Sequence, residues 1–412
     1  MTLSDREIFN RPRKFSGQWT NERLDQLRHV TDEPADAVIA EFFESQLAIA
    51  GAGSTPGITP HELLMQLMND RIVRPPEVAG LAMESVPISQ RLLNELAERA
   101  PAPDVPGPEV KKGQQLFQNH GPEVLLNLAC FSLPMAYGAA KGAMVLHETG
   151  YLENRVQRRL IETTQMVVDV MKPGGLASGG DGFRTAQEVR LMHAAIRYLI
   201  KTRDADWDYE TLGEPINQED MAGTLMTFSY VVLKGLYKLG LDIDRESQEA
   251  YLRAWRYVGQ AMGLCEELLP NSLEDAQQLT WFIYQRQMRG SPQGRDLMRA
   301  LLATMKSNLP RVAQWFAPSA LRMLMEKELA NELGVPRHIF WDNLTYLLLR
   351  IYSAINNLIN IDRLGLNPHR WFSHLVIEAV TYMGRGHDQR ATFSIPEELH
   401  EYWKQPPKKP SD

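Results

Sequence analysis

Three residues that could act together on a bound group lie in two neighbouring helical segments. Arg159 and Thr163 are four residues apart, which places them one turn apart on the same helix face. His193 lies on the apolar stripe of the next segment, between Val189 and Ile196. An imidazole, a guanidinium and a hydroxyl on two hairpin helices could therefore flank a bound group between them.

His193 has two interpretations. A histidine on an apolar helix face is, by itself, more often a hydrogen-bonded core residue. A haem iron, however, takes one neutral imidazole from a helix, and the surrounding pocket is apolar. Leu191, Met192 and Ile196 could supply such a lining. No carboxylate lies within one helical turn of His193, which disfavours a zinc or di-iron site.

Arg159 and Thr163 also have two interpretations each. Arg159 could pair with a haem propionate or an anionic oxygen species, and Thr163 could hydrogen-bond dioxygen. Arg159 could equally form a surface ion pair with Glu162, and Thr163 could donate to the carbonyl oxygen of residue 159. Taken one at a time, the structural roles are the simpler ones.

Two further motifs favour structure over chemistry. The Gly-rich loop over residues 172–182 lacks the GxxxxGK[ST] pattern and follows no strand, so we interpret it as a long hairpin connection. Di-iron bundles carry Glu-x-x-His on each of two helices, and here the one such pair is Glu397 and His400.

Composition excludes several classes of protein. The 412 residues are 44% hydrophobic and 23% charged, as in ordinary globular proteins, and the net charge of -7 argues against a nucleic-acid binder. The two cysteines, Cys130 and Cys265, exclude a disulfide framework and a CxxCH haem attachment, which fits a reducing compartment. The polar N-terminus shows no export signal, so we expect a cytoplasmic protein.

The longest uncharged run, residues 124–140, contains Asn127, Ser132 and Pro134 and is better explained as a core helix than as a membrane span. We therefore expect no transmembrane segment, although peripheral contact with a membrane remains compatible with the sequence. A monomer is slightly favoured.

Helical periodicity dominates the chain and period-two alternation is nearly absent, which predicts an all-α fold. We expect an N-terminal arm over 1–30, one large helical domain over 31–404 with a linker at 101–108, and a flexible tail over 405–412. Thr185-x-x-Glu188 and Ser272-x-x-Asp275 resemble helix N-caps. The predicted helices are 36–47, 89–100, 122–137, 152–171, 185–201, 217–239, 246–263, 272–288, 296–307, 320–333, 340–360 and 368–383.

Four blocks, taken together and in order, resemble the family of rubber oxygenases (latex clearing proteins) and their relatives, which include the mycophenolic-acid-pathway oxygenase. The chain looks like a divergent, non-rubber member. The blocks are EPADAVIAE at 33–41, the stretch from Arg159 to Met171, the stretch from Val189 to Arg197, and GEPINQEDM at 213–221.

The resemblance implies a globin-like helical core with additional surrounding helices and a non-covalent haem b. It makes His193 the proximal ligand of the haem iron, and it places Arg159 and Thr163 at the haem pocket. The chain departs from the family at two positions. The family's distal lysine is replaced by Glu162, and its glutamate base aligns with Ala143, while Glu148 lies nearby without matching. Glu162 is therefore a candidate substitute base.

The resemblance thus implies a haem-dependent oxygenase that uses O2 to cleave a C=C bond in a hydrophobic isoprenoid or lipid-like substrate. A haem peroxidase, a non-catalytic haem sensor or carrier, and a helical scaffold without haem are the alternatives. Nucleic acid is not an expected partner.

Overall fold

The structure, a computed structural model, is built from helices throughout its described residues. These are residue 12 and residues 17–51, 88–103, 107–148, 153–203 and 207–359. Within these ranges there is no strand, and a single isolated antiparallel bridge joins Ala139 and Met288. The prediction of an all-α fold is confirmed.

Most predicted helices are present with small shifts at their ends. The helices are α1 Asn21–Leu27, α2 Glu33–Gly51, α3 Ile88–Arg99, α4 Pro108–Asn127, α5 Leu133–Gly138, α6 Ala140–Glu148, α7 Glu153–Met171, α8 Asp181–Arg203, α9 Tyr209–Leu212, α10 Gln218–Phe228, α11 Tyr230–Lys238, α12 Arg245–Ala261, α13 Leu273–Gln287, α14 Pro292–Ser307, α15 Phe316–Leu324, α16 Lys327–Glu332 and α17 Ile339–Ile359. A π-helix, Leu128–Ser132, joins α4 to α5, and short 3-10 turns lie at Glu266–Leu268 and Arg311–Ala313.

Two predicted helices are interrupted. The helix expected over 217–239 breaks at Ser229, whose φ of -106° and ψ of -87° are not helical and whose hydroxyl donates to the carbonyl of Leu225 at 2.8 Å. The helix expected over 122–137 contains the π-helix, which periodicity does not reveal because its residues remain apolar. The segment expected as one helix over 320–333 forms the end of α15 and then α16.

The two predicted N-caps have different outcomes. Ser272 caps α13, since its hydroxyl accepts from the backbone N–H of Asp275 at 3.1 Å. The cap predicted at Thr185 is wrong, because α8 begins one turn earlier, at Asp181. Thr185 is instead inside the helix, and its hydroxyl donates to the carbonyl of Asp181 at 2.8 Å.

The described part of the expected N-terminal arm is packed against the helical body. Leu24 and Leu27 of α1 are buried, and so is Trp19, whose indole N–H donates to the carbonyl of Glu267 at 2.9 Å. Trp19, Leu24 and Leu27 thus belong to the core, and the boundary of the expected arm stays a prediction. The helix predicted at 368–383, the Glu397–His400 pair and the tail at 405–412 lie outside the described residues.

Apolar faces of the helices meet in three buried clusters. The largest lies around α4, α10 and α12 and includes Phe117, Tyr251 and Trp255. A second joins the π-helix to α14 and α15, and a third joins α2, α3 and α8. Since α8 contributes to the first and the third clusters, the histidine helix is packed on two sides. No described helix has the length and apolar character needed to cross a lipid bilayer.

Candidate active site

A cavity of about 540 Å³ lies between the π-helix and helices α4 to α8 and α10 to α13. This volume falls within the range of about 300–1,000 Å³ that is usual for small-molecule and cofactor sites. Its wall is mostly apolar, with Leu, Met, Val and Ile side chains from almost every surrounding helix. A group bound here would contact mainly apolar side chains.

One face of α8 forms part of the wall. Val189, Met192, His193 and Ile196 all line the cavity, at the spacing that places residues on one side of a helix. The apolar stripe around His193 therefore faces an internal space. Leu191 does not share this face, contrary to the sequence prediction. It is buried in the cluster with α2 and α3, because a shift of two positions turns a side chain to the other side of a helix.

Helix α7 supplies further polar groups to the cavity wall. Glu162 and Thr163 line the same cavity as His193, and Glu162 is only 7% exposed. The next residue, Thr164, also lines the cavity and donates its hydroxyl to the carbonyl of Leu160 at 2.7 Å. Arg159 belongs to α7, but its side chain lies outside the described residues. Ala143, the position aligned with the family's glutamate base, is a fully buried α6 residue and offers no acid.

The Gly-rich loop joins α7 to α8 at short range. A Cβ on Gly182 would lie 2.5 Å from the carbonyl oxygen of Asp169 and from the Cα of Val170. The glycine thus lets the start of α8 pass directly against the end of α7. Lys172 bridges the same junction, with ion pairs to Asp169 at 3.3 Å and to Asp181. These contacts confirm a hairpin connection.

One buried and one partly buried ion pair fix α8 to the start of α2. Asp32 accepts two hydrogen bonds from Arg190, at 2.5 and 2.8 Å, and both side chains are nearly inaccessible. One helical turn along α2, Asp36 accepts from Arg197 at 2.7 Å. The two arginines lie three residues before and four residues after His193. The sequence blocks at 33–41 and 189–197 are therefore in contact, and this contact helps to hold the histidine helix in place.

The block at 213–221 approaches the cavity through a strained residue. Ile216 lines the cavity and has φ of +51°, a conformation that is a genuine outlier for a β-branched residue. Its carbonyl accepts from Arg197 at 3.2 Å, and the next residue, Asn217, caps α10 by accepting from the N–H of Asp220 at 3.0 Å. This region is held by the same arginine that anchors α8.

A charged cluster lies behind the cavity wall. Glu219 is fully buried and pairs with Arg28 at 3.1 Å and with Arg286 at 2.8 Å. Its carboxylate also accepts from the side-chain N–H of Gln287 at 2.9 Å. The neighbouring Asp220 lines the cavity, and burial raises the pKa of its carboxyl even though Arg28 opposes this effect. The cluster fixes the side chain of Gln287 at the wall.

Sequence reasoning missed several polar residues at the wall. Thr280 and Gln287 on α13 line the cavity at a spacing of seven residues, which their common helix face could have revealed. Ser132 in the π-helix lines it as well and donates to the carbonyl of Thr227 at 2.6 Å. Their place at a shared cavity could not be predicted, because the elements that meet there are far apart in sequence.

Comparison with known proteins identifies the family. The family model described as "ER-bound oxygenase mpaB/B'/Rubber oxygenase, catalytic domain" matches residues 119–355, which include every residue that lines the cavity. The chain belongs to this family. The resemblance seen in the sequence blocks is thus confirmed.

Individual relatives agree with this assignment. The chain is similar to the rubber oxygenase of Streptomyces sp. (strain K30), with 25% identity over 146 residues. That match spans 35% of this chain and only 36% of the relative. The fold is similar to that of latex clearing protein in its closed state, with a TM-score of 0.66 at 19% identity, covering 90% of this chain and 95% of that one. The two proteins therefore share an overall helical architecture.

Proposed function

We propose that this family member is a b-type haem-dependent oxygenase that acts on a hydrophobic, unsaturated isoprenoid or lipid-like substrate, with oxidative C=C cleavage by O2. The observation that carries the proposal is the position of His193 on the wall of a largely apolar cavity of about 540 Å³. Glu162 and Thr163 line the same cavity. Family membership supports the oxygenase class.

The residues present fit a haem group. A haem iron needs one imidazole from the protein, and α8 provides one in His193 among Val189, Met192 and Ile196. Within the described ranges, no three His, Cys, Asp or Glu side chains are grouped as a bare metal ion would require. A site with a single nitrogen donor and a large apolar wall suits a porphyrin better than an isolated metal ion.

Each part of the wall has a role in this proposal. His193 would hold the iron, and bound haem would supply the activation of O2. The apolar side chains exclude water and orient the alkene, which is the contribution a protein makes to cofactor chemistry. Thr163 offers a hydroxyl that can donate a hydrogen bond to a polar group of the reactants. Arg159 would pair with a propionate.

Glu162 is proposed as the proton acceptor. It stands where rubber oxygenases carry a lysine, and it is a buried carboxylate at the cavity. Glu162→Gln keeps the size of the side chain and removes its basicity. We expect slower turnover with unchanged haem content, measured by oxygen uptake and by absorbance. Glu210→Gln, on the exposed α9, is the matched control. Turnover equal to that of the wild type would exclude Glu162 as the base.

The absorption spectrum of the purified protein tests the core of the proposal. We expect a Soret band that is lost in His193→Ala and kept in His29→Ala, a control at an exposed position outside the cavity. A colourless wild-type protein that fails to bind added haem would overturn the proposal, and so would a Soret band left unchanged by His193→Ala. Oxygen uptake with an alkene, compared with turnover on hydrogen peroxide, separates an oxygenase from a peroxidase.

A further inference from the structure

Helix α13 presents two buried polar groups to the cavity whose hydrogen-bonding capacity is unfilled. Thr280 and Gln287 line the cavity, and each is less than 5% exposed. Among the described residues, neither Thr280 Oγ1 nor Gln287 Oε1 has a hydrogen-bond partner. Most buried polar atoms are paired, because leaving one unpaired is costly. The two positions are seven residues apart, or about 10.5 Å along the helix.

The orientation of the Gln287 amide follows from its surroundings. Its Nε2 lies 2.9 Å from the carboxylate of Glu219, which can only accept a hydrogen bond when ionised. The same carboxylate accepts from the guanidinium groups of Arg28 and Arg286, at 3.1 and 2.8 Å. The nitrogen must therefore face Glu219, and the oxygen of the amide is left as an acceptor. Gln287 can bind a group that carries an O–H or N–H, but not a carboxylate such as a haem propionate.

We propose that Gln287 binds a hydrogen-bond donor of the substrate, with Thr280 as a second polar contact on the same helix face. The substrate is then an oxygenated isoprenoid or lipid that bears a hydroxyl or a comparable donor, and not a pure hydrocarbon. This inference rests on the proposed function for the identity of the reaction, and it adds the chemical class of the substrate. The apolar side chains of the cavity wall contact the hydrocarbon part of the molecule.

The test compares two ligands, of which only one can donate a hydrogen bond. Oleyl alcohol carries a hydroxyl donor, whereas its methyl ether keeps the chain and the oxygen but cannot donate. We expect the full-length wild-type protein to bind the alcohol about tenfold more tightly, the equivalent of one buried hydrogen bond. Isothermal titration calorimetry measures both dissociation constants without requiring turnover.

Variants on α13 locate the effect. Gln287→Met keeps the length of the side chain and removes the acceptor, so the tenfold preference should fall to about one. The loss of its N–H leaves Glu219 paired with both arginines, which favours a folded variant. Gln278→Met makes the same change at a buried position of α13 that does not line the cavity, and it should keep the wild-type preference.

Equal binding of the two ligands by the wild type, binding of neither, or a preference that persists in Gln287→Met would each overturn the inference. The wild-type comparison remains decisive even if a variant fails to fold.

Oxygen uptake distinguishes the two proposals. A protein that prefers the alcohol but consumes no oxygen with haem would refute the oxygenase function alone. Equal oxygen consumption with both ligands, without a binding preference, would refute only the substrate class.

Discussion

The buried pair of Asp32 and Arg190 is expected to be a principal anchor of the histidine helix. Asp32→Asn is nearly isosteric and removes the negative charge while leaving one oxygen as an acceptor. The Arg190 guanidinium, whose side chain is 7% exposed, then remains buried beside a neutral amide. We predict that this variant unfolds more easily than the wild type and holds α8 less firmly.

The structure sets the magnitude of the effect. Removal of one partner from a buried ion pair costs about 3–5 kcal/mol, and the remaining amide oxygen places this variant near 3 kcal/mol. Unfolding entropies are about 2.1 cal/mol/K per residue, or about 0.9 kcal/mol/K for a cooperative chain of 412 residues. The melting temperature should therefore fall by about 3–4 °C.

Urea denaturation and calorimetry of the wild type and the variant measure this loss. The matched control is Glu267→Gln, which disrupts a doubly hydrogen-bonded pair with Arg23 at 2.9 and 2.6 Å. That pair is exposed, with 34% and 44% of the side chains accessible, so solvent already screens it and little should change. A loss for Asp32→Asn no larger than that of the control would refute the argument that burial gives the pair its importance.

Three further predictions concern other parts of the fold. Burial raises the pKa of the Cys130 thiol to about 12, so it should resist iodoacetamide at pH 8 in the native protein and react after unfolding in urea, as mass spectrometry would show. Gly235→Ala should destabilise the protein by about 1–3 kcal/mol in urea titrations, because its new Cβ would overlap the side-chain oxygen of Asn127. An unchanged midpoint of urea unfolding would show that α4 and α11 can separate to make room for it. The hydrogen bond from Arg286 lowers the pKa of Asp25 below 3.8, so this carboxylate adds stability above that pH and loses its contribution as the pH falls through the lowered value. Asp25→Asn should accordingly be less stable than the wild type at pH 7 and approach it near pH 2, and a gap independent of pH would contradict this assignment.

Local sequence signals predicted the helices well wherever apolar periodicity was long and regular. The start of α13 followed from Ser272, since the capping hydroxyl and the capped N–H are three residues apart. The predicted start of α8 was one turn too late. Thr185 has the sequence pattern of an N-cap, but its hydroxyl donates to the backbone carbonyl of Asp181 inside the helix. The break at Ser229 and the π-helix were not predicted, because neither interrupts the apolar periodicity of its segment.

The candidate site, too, was predicted in part from local spacing and in part could not be predicted from it. The spacing of Val189 and Ile196 around His193 is enough to place them on one helix face, and the ordered blocks are enough to indicate the family. The sequence cannot show that this face borders a cavity, because the cavity exists only where the α7–α8 hairpin meets helices from the rest of the chain. Leu191, expected in the pocket, lies instead against α2.

By itself, the sequence determined the helical class, the family resemblance and the position of His193 on an apolar helix face, because these depend on residue type and short-range spacing. Tertiary structure alone decided which groups share the cavity with it. Gln287 lies 94 positions from His193 in the chain, and its amide orientation is set by Glu219, itself fixed by Arg28 and Arg286. Such an arrangement depends on buried charges from three distant segments meeting at one point, a relation that no local pattern encodes.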